Sequence, residues 1–340
     1  MVHFFLKISL SLIKMKNLTL LITTLIFIIL CTIIMFLLEP DTFESVLNTF
    51  YFVMTTFSTV GYGDYSPVTS AGKLFAIFMY LFGIGLLGVV IGKIVDGFTI
   101  FRRKREEGKL SYTNENHVII IGWGKKTDYA VKEILDSDPR VEVIIIDNLP
   151  HAPMDVSNNR IHYIQGDPTE EETYKKANID KARAVIVFSD DTLQDGSLKD
   201  AKTLLVAITV ERLAPDVHTT VEVMTEKHIL NFSHVKVDEF ILSQETISSL
   251  AVRSALYKGV SKVYSQLISR QHGEDLYKIS KKANWVTYND AFQELLSNGA
   301  TLIADRDQLN INRRLQESIP DEAVLYIICN KETYQTLIEK

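Results

Sequence analysis

Cysteine is scarce, at two in 340 residues. Cys31 and Cys329 sit in apolar runs at opposite ends of the chain, with neither metal-ligand spacing nor an evident mate. A disulfide framework and a thiolate metal centre are thereby excluded, and both read as packing residues in a reducing compartment. The eight histidines are scattered and likewise offer no ligand set. Basic charge is missing where a nucleic-acid partner would need it. Residues 1–109 hold ten Lys/Arg and seven Asp/Glu, a balance of +3, so within a total of −6 the remainder carries −9. Nucleic acid is therefore not expected as a partner of that remainder.

Charge of either sign is absent from Leu18 to Leu38, 21 residues that as a helix rise about 31 Å against a hydrocarbon core of about 30 Å. This is a spanning helix, too long and without the small-residue cleavage site of a secretory signal. A second span starts near Leu74 and runs to Gly92, closed by Lys93. Lys14 and Lys16 precede the first span, and Arg102, Arg103, Lys104 and Arg105 follow the second. Both termini are therefore expected in the cytoplasm and residues 39–73 outside, in a multi-pass protein of the cell membrane.

Within that connection "DTFESVLNTFYFVMTTFS", Asp41 to Ser58, is apolar but too short to cross and return, and suits a re-entrant half-helix. "TVGYGD" follows, Thr59, Val60, Gly61, Tyr62, Gly63 and Asp64. Irregular backbone at membrane depth is tolerated only against protein or a water-filled cavity. Glycine at alternate positions lets successive carbonyls point one way. Four such loops around an axis would stack oxygens of Thr59, Val60, Gly61 and Tyr62 into rings that replace the hydration shell of a potassium ion. Tyr62, Tyr51 and Phe52 are expected as an aromatic cuff behind them, and the carboxyl end of the half-helix adds negative potential.

The hexapeptide, flanked by a half-helix and two spans, resembles the selectivity-filter signature of the potassium channels. One pore unit per chain then implies a homotetramer. Gly83, Gly85, Gly88 and Gly92 allow close packing of neighbouring helices or a bend at Gly83 or Gly85, and the resemblance implies a gating hinge there. Asp96 is either an acidic ring at the inner mouth or a solvated carboxylate.

Beyond the charged stretch 99–115, short Val/Ile-rich runs recur: "HVIIIGWG", "VEVIIID", "IHYIQGD", "ARAVIVFSD", "TTVEVM" and "DEFILS". Helix-length segments separate them, which implies a parallel, doubly wound sheet. Gly122 and Gly124 close the first strand, Asp147 the second and Asp167 the third, the expected contacts of a nucleotide; the third glycine position of the fingerprint holds Thr127. A Rossmann-like domain after such a pore resembles the RCK (regulator of potassium conductance) domain, related to the nucleotide-binding subunits of bacterial Trk and Ktr potassium uptake systems. The stretch from Gln165 to Asp191 carries much of that likeness, which extends from Phe43 to about Leu256.

The resemblance implies RCK domains that dimerise into a gating ring, with extra copies supplied separately in some members. No methionine lies between Met79 and Met154 from which such a copy would start. Calcium-gated members place ligands where this chain has Phe188, Glu222 and Met224, of which only Glu222 is a carboxylate; hard cations take several oxygens. Asp190, Asp191 and Asp195 form either another acidic cluster or a solvated loop.

The expected fold is multi-domain: an all-α two-span pore with a re-entrant loop, an α/β Rossmann-like RCK domain and a small α/β C-terminal lobe. Expected boundaries are an N-terminal segment 1–17, a pore domain 18–98 (outer helix 18–38, pore helix and filter 42–66, inner helix 72–98) and a linker 99–115. An N-lobe 116–245, a helical crossover 246–271 and a C-terminal lobe 272–340 follow. The expected function is potassium conduction gated by a cytosolic ligand, Ca2+ or a nucleotide such as NAD(H), ATP or ADP, without enzymatic activity. Alternatives are a membrane-anchored NAD-dependent oxidoreductase, for which no hydride-transfer acid or base is evident, and an anchored nucleotide-sensing regulator.

Overall fold

A computed structural model describes residues 16–269 and 273–339. Lys14 and most of the N-terminal segment 1–17 lie outside the described residues, as do residues 270–272 between the crossover and the C-terminal lobe. The chain forms two compact units, divided between Lys104 and Arg105.

In the first unit, among the described residues, α1 (Asn17–Leu38) and α4 (Ser70–Glu106) are the two helices long and apolar enough to cross a membrane. Most of their large apolar side chains point outward, Leu21, Leu25, Leu74 and Leu81 among them. Between them lie α2 (Pro40–Phe43) and α3 (Val46–Phe57). The half-helix starts later than the apolar stretch does, because Glu44 takes φ 59° and Ser45 caps Val46–Phe57, accepting from the Asn48 N–H at 3.1 Å. Met35, Phe43, Val53, Phe57 and Met79 form the small core of this unit.

The inner helix departs from the expected 72–98 with a linker over 99–115: α4 continues to Glu106. The charged run 101–106 is made of helix formers without glycine or proline, so polarity there marks solvent without ending the helix. The turn comes at Gly108, φ 62°, where a β-carbon would overlap the Gln165 backbone. Arg105 donates to Asn158 O at 3.0 Å and Asn159 Oδ1 at 3.2 Å, and Glu106 O accepts from the Ala152 N–H at 2.7 Å.

The second unit opens with six parallel strands: β1 (Val118–Ile121), β2 (Val143–Asp147), β3 (Ile161–Gln165), β4 (Ala184–Val187), β5 (His218–Val223) and β6 (Glu239–Leu242). Their order is β3-β2-β1-β4-β5-β6, with Ile120 opposite Ile145 on one side and Ile186 on the other. Alternate residues enter different cores. Ile119, Ile121, Ile144 and Ile146 join Val206 and Val210 of α7 (Gly196–Leu213), while Ile120 and Ile145 join Val131 of α5 (Lys125–Ser137). Burial on both faces is why these strands read as unbroken apolar runs. The short helix α6 (Glu171–Lys176) follows β3.

After β6 come α8 (Ser243–Leu256) and α9 (Val260–Ile268), neither with a buried residue. Ile247, Val252, Leu256 and Val263 are exposed on them, as is Tyr257 directly after α8. The remaining lobe is an antiparallel sheet, β7-β9-β8, of β7 (Glu274–Ser280), β8 (Thr301–Asp305) and β9 (Val324–Asn330). It packs with α10 (Tyr288–Ser297), started by a Thr287–Asp290 capping box, around Trp285, Tyr288, Leu325 and Ile327; α11 (Lys331–Glu339) follows.

Candidate functional site

The loop after α3 is built by the helix's own end. Thr59 N–H donates to Thr56 O at 3.0 Å, and the N–H groups of Val60 and Gly61 both reach Thr55 O, at 3.0 and 3.1 Å. Thr59, Gly61 and Gly63 have φ of 61°, 52° and 78°. With the N–H groups turned back, the carbonyls face elsewhere, and among the described residues none of those from Thr59 to Tyr62 accepts a hydrogen bond. A β-branched residue at positive φ is an outlier that glycine spacing alone does not reveal.

The aromatic cuff differs from expectation in one member. Tyr51 stacks on Tyr62, centroids 6.5 Å apart, and meets Tyr65 edge-on at 6.4 Å. Phe52 instead packs on Phe43 at 5.1 Å, in the core. Adjacent helical residues point about 100° apart, so Tyr51 and Phe52 cannot both face the loop. Asp64 lies on the exposed side, where its carboxylate accepts from the Tyr65 N–H at 3.1 Å.

Glu39, missed by the motif reading, ties the unit together. Although only 3% exposed, its carboxylate accepts from Val68 N–H at 2.9 Å, from the Thr69 N–H and hydroxyl at 2.8 and 2.7 Å, and from the Thr42 hydroxyl at 2.8 Å. Thr69 in turn caps α4, its hydroxyl accepting from the Gly72 N–H at 3.0 Å. A carboxylate directly after 21 uncharged residues was the available signal. Gly83 and Gly85 both lie inside unbroken α4, Gly83 buried and Gly85 with nothing within 4 Å of a β-carbon.

In the second unit a cleft of about 390 Å³ opens at the carboxyl ends of β1 and β4, where the strand order reverses. Open α/β sheets bind ligands at this position. Gly122, Gly124 and Asp147 line it together with Trp123, Lys126, Asp190, Asp191 and Lys202. Gly122 has φ 91°, which a side chain resists. Thr127, in the third glycine position, is buried and donates its hydroxyl to Gly122 O at 2.6 Å, fixing helix to strand by a hydrogen bond. Asp147 accepts from Trp123 N–H at 2.7 Å and Leu149 N–H at 3.1 Å. Asp167 is not brought to the cleft lining; its carboxylate holds the Thr169 N–H and hydroxyl, and these two bonds lower its pKa.

Each acidic residue around the cleft already has a partner. Burial alone would raise the Asp190 carboxyl, but Lys202 at 2.6 Å and the Thr192 hydroxyl and N–H bring it down to about 2. Asp195 caps α7 through the Ser197 and Leu198 N–H groups. Glu222, 3% exposed, accepts from Lys126 Nζ at 2.7 Å, Ser189 Oγ at 2.8 Å and Ser189 N–H at 2.9 Å; burial works against its ionisation and these donors outweigh it. Met224 meets α7 instead, its N–H donating to Asp200 at 2.8 Å. Among the described residues no group of three or more His, Cys, Asp or Glu is placed to hold a metal ion. Sequence reading missed Lys126, whose partner lies 96 residues away.

Comparison with known proteins separates the same two parts. The family described as "Ion channel" matches residues 22–99, and the TrkA-N domain family matches residues 118–243. YugO of Bacillus subtilis, whose name assigns it provisionally to the potassium channels, is 31% identical over 227 residues, 65% of this chain and 68% of that one. The calcium-gated potassium channel TvoK of Thermoplasma volcanium is 30% identical over 231 residues, 67% of this chain and 65% of that one. The chain thus spans about two thirds of these curated relatives. A solved structure of the GsuK channel shares the fold with a TM-score of 0.50 at 16% identity, covering 95% of this chain and 59% of that one.

Proposed function

We propose, because this chain belongs to the prokaryotic potassium channels that join an ion-channel pore to a TrkA-N domain, that it conducts potassium selectively under control of a cytosolic ligand. The observation that carries this reading is the backbone from Thr59 to Gly63: positive φ at alternate residues, N–H groups spent on Thr55 and Thr56, and unengaged carbonyls. Carbonyl rings from four copies substitute for the water a potassium ion sheds, with Thr59, Val60, Gly61 and Tyr62 as ligands and Gly63 and Asp64 completing the turn. The outward-facing apolar side chains of α1 and α4 suit lipid and neighbouring copies, as a homotetramer needs. Arg102, Arg103 and Lys104 favour a cytoplasmic second unit in the cell membrane.

The gating ligand in this reading is a nucleotide at the cleft: phosphates at Gly122, Gly124 and the amino end of α5, ribose at Asp147. Calcium is the weaker candidate, since Glu222 is already neutralised by Lys126. The exposed apolar side chains of α8 and α9 fit a second copy of the domain, so in this reading the domains pair into a gating ring, which separately supplied copies would join through the same faces. The protein acts in this reading as a channel and not as an enzyme, and Gly83 and Gly85 lie where its inner helix would bend.

Potassium flux through the full-length protein in liposomes tests the reading. Wild-type flux should change when NAD(H), ATP or ADP is added, and Gly61→Asp should abolish the flux. A folded wild type that conducts under none of these conditions overturns the proposal.

A further inference from the structure

Three oxygens from two segments converge on one nitrogen. Lys126 Nζ, in the first turn of α5, lies 2.7 Å from Glu222 Oε2 on β5, 3.0 Å from Ser189 Oγ and 3.1 Å from Asp191 Oδ1, the last two following β4. The ammonium also sits 5.9 Å from the centre of the Phe188 ring. A lysine at the amino end of a helix opposes the helix dipole, so α5 itself gives no reason for a cation there. The carboxylates do. Glu222 is 3% exposed and cannot stay ionised without a counter-charge beside it.

The charge count goes further. Lys199 Nζ, 14% exposed, stands 3.8 Å from the same Asp191 Oδ1. Two carboxylates, Glu222 and Asp191, thus face two ammonium groups, Lys126 and Lys199, which together carry the charge of one divalent ion. Two carboxylates and a hydroxyl are also hard oxygen donors of the kind that hold calcium. We infer that Lys126, seconded by Lys199, is a tethered cation occupying the place of a divalent ion at the carboxyl ends of β4 and β5. The domain is charge-balanced there without metal, and a divalent ion finds no vacancy. The inference is independent of whether a nucleotide occupies the cleft and of what the pore conducts.

The melting midpoint of the full-length protein in detergent tests it, with Ca2+ as the probe. Wild type should melt at the same temperature in millimolar Ca2+, in chelator and in NaCl of equal ionic strength. Lys126→Ala, which leaves Glu222 uncompensated, should melt several degrees lower in chelator. Millimolar Ca2+ should restore it while NaCl does not. The double variant Lys126→Ala/Glu222→Gln should regain stability without metal and ignore Ca2+. A Lys126→Ala protein that Ca2+ leaves unmoved overturns the inference. Should that variant not be recovered folded, wild type decides alone: a Ca2+-induced rise in its midpoint that Glu222→Gln removes overturns the inference, and indifference to Ca2+ upholds it.

Discussion

Gly83 on α4 lies against the ring of Phe57 at the end of α3, and the ring fills the space a β-carbon would need. The glycine lets the inner helix approach the half-helix that carries the loop. Gly85, two residues on, has open space around it. Gly83→Ala should therefore lower the thermal stability of the pore by about 1–3 kcal/mol through overpacking. Gly85→Ala should leave stability unchanged or slightly raised, since alanine is the better helix former. If Gly85 serves as a hinge, its variant will conduct less at full stability, a separation that paired melting and flux measurements read directly.

Glu39 offers a second test. Glu39→Ala strips four donors of their acceptor at a buried site, at a cost of about 1–3 kcal/mol, and Glu39→Gln should cost less because it keeps part of the network. Burial raises the Glu39 carboxyl, but the bonds from Val68, Thr69 and Thr42 outweigh it and the pKa falls below its ordinary 4.5. The folded state thus holds its proton less tightly than the unfolded chain. The stabilisation is complete above that value and is lost as pH falls through the lower folded pKa. Melting in acid should show this slope in wild type and not in Glu39→Gln.

Tryptophan fluorescence separates the two units of response in the α/β region. The chain has two tryptophans, and Trp123 lines the cleft while Trp285 is 1% exposed in the C-terminal core. Binding of NAD or ADP at the cleft should change the emission of wild type and not of Trp123→Phe. Asp147→Ala should weaken that binding about tenfold, equivalent to ~1.4 kcal/mol.

His117 is fully buried, its Nε2 3.0 Å from Ala177 O and its ring 4.6 Å from that of Tyr112. Burial lowers its pKa below the ordinary 6.5, more than Ala177 O and Glu142 raise it. His162, 3.1 Å from Glu142, shifts the same way, also led by burial. Both are neutral in the fold and take protons more readily in the unfolded chain. Stability is therefore full above about 6.5 and declines as pH falls below it. A midpoint that drops as pH falls below about 6.5, with a shallower drop in His162→Gln, is the expected result.

The sequence made the strands and the membrane helices legible for a simple reason. A strand buried on both faces must be apolar at every position, as Val143 to Ile146 are, and a lipid-facing helix must exclude charge throughout, as Leu18 to Leu38 does. The loop was half legible: glycine announced positive φ at Gly61 and Gly63, whereas Thr59 adopts it because its N–H is drawn to Thr56 O. The end of the inner helix was not legible, since charge reports exposure and helices tolerate exposure. Glycine spacing located the cleft, but the Lys126–Glu222 pair joins residues far apart in the chain, and only folding brings them together.

The last turn of α4 has a mechanical meaning. Its hydrogen bonds persist to Glu106, while Arg105, Glu106 and Gly108 already grip the loop before β3 and the end of that strand. Those contacts fasten the end of the helix to the edge strand of the sheet, so the stretch from Arg105 to Gly108 opens together with that edge, and its backbone amides should exchange with solvent about as slowly as those of β3.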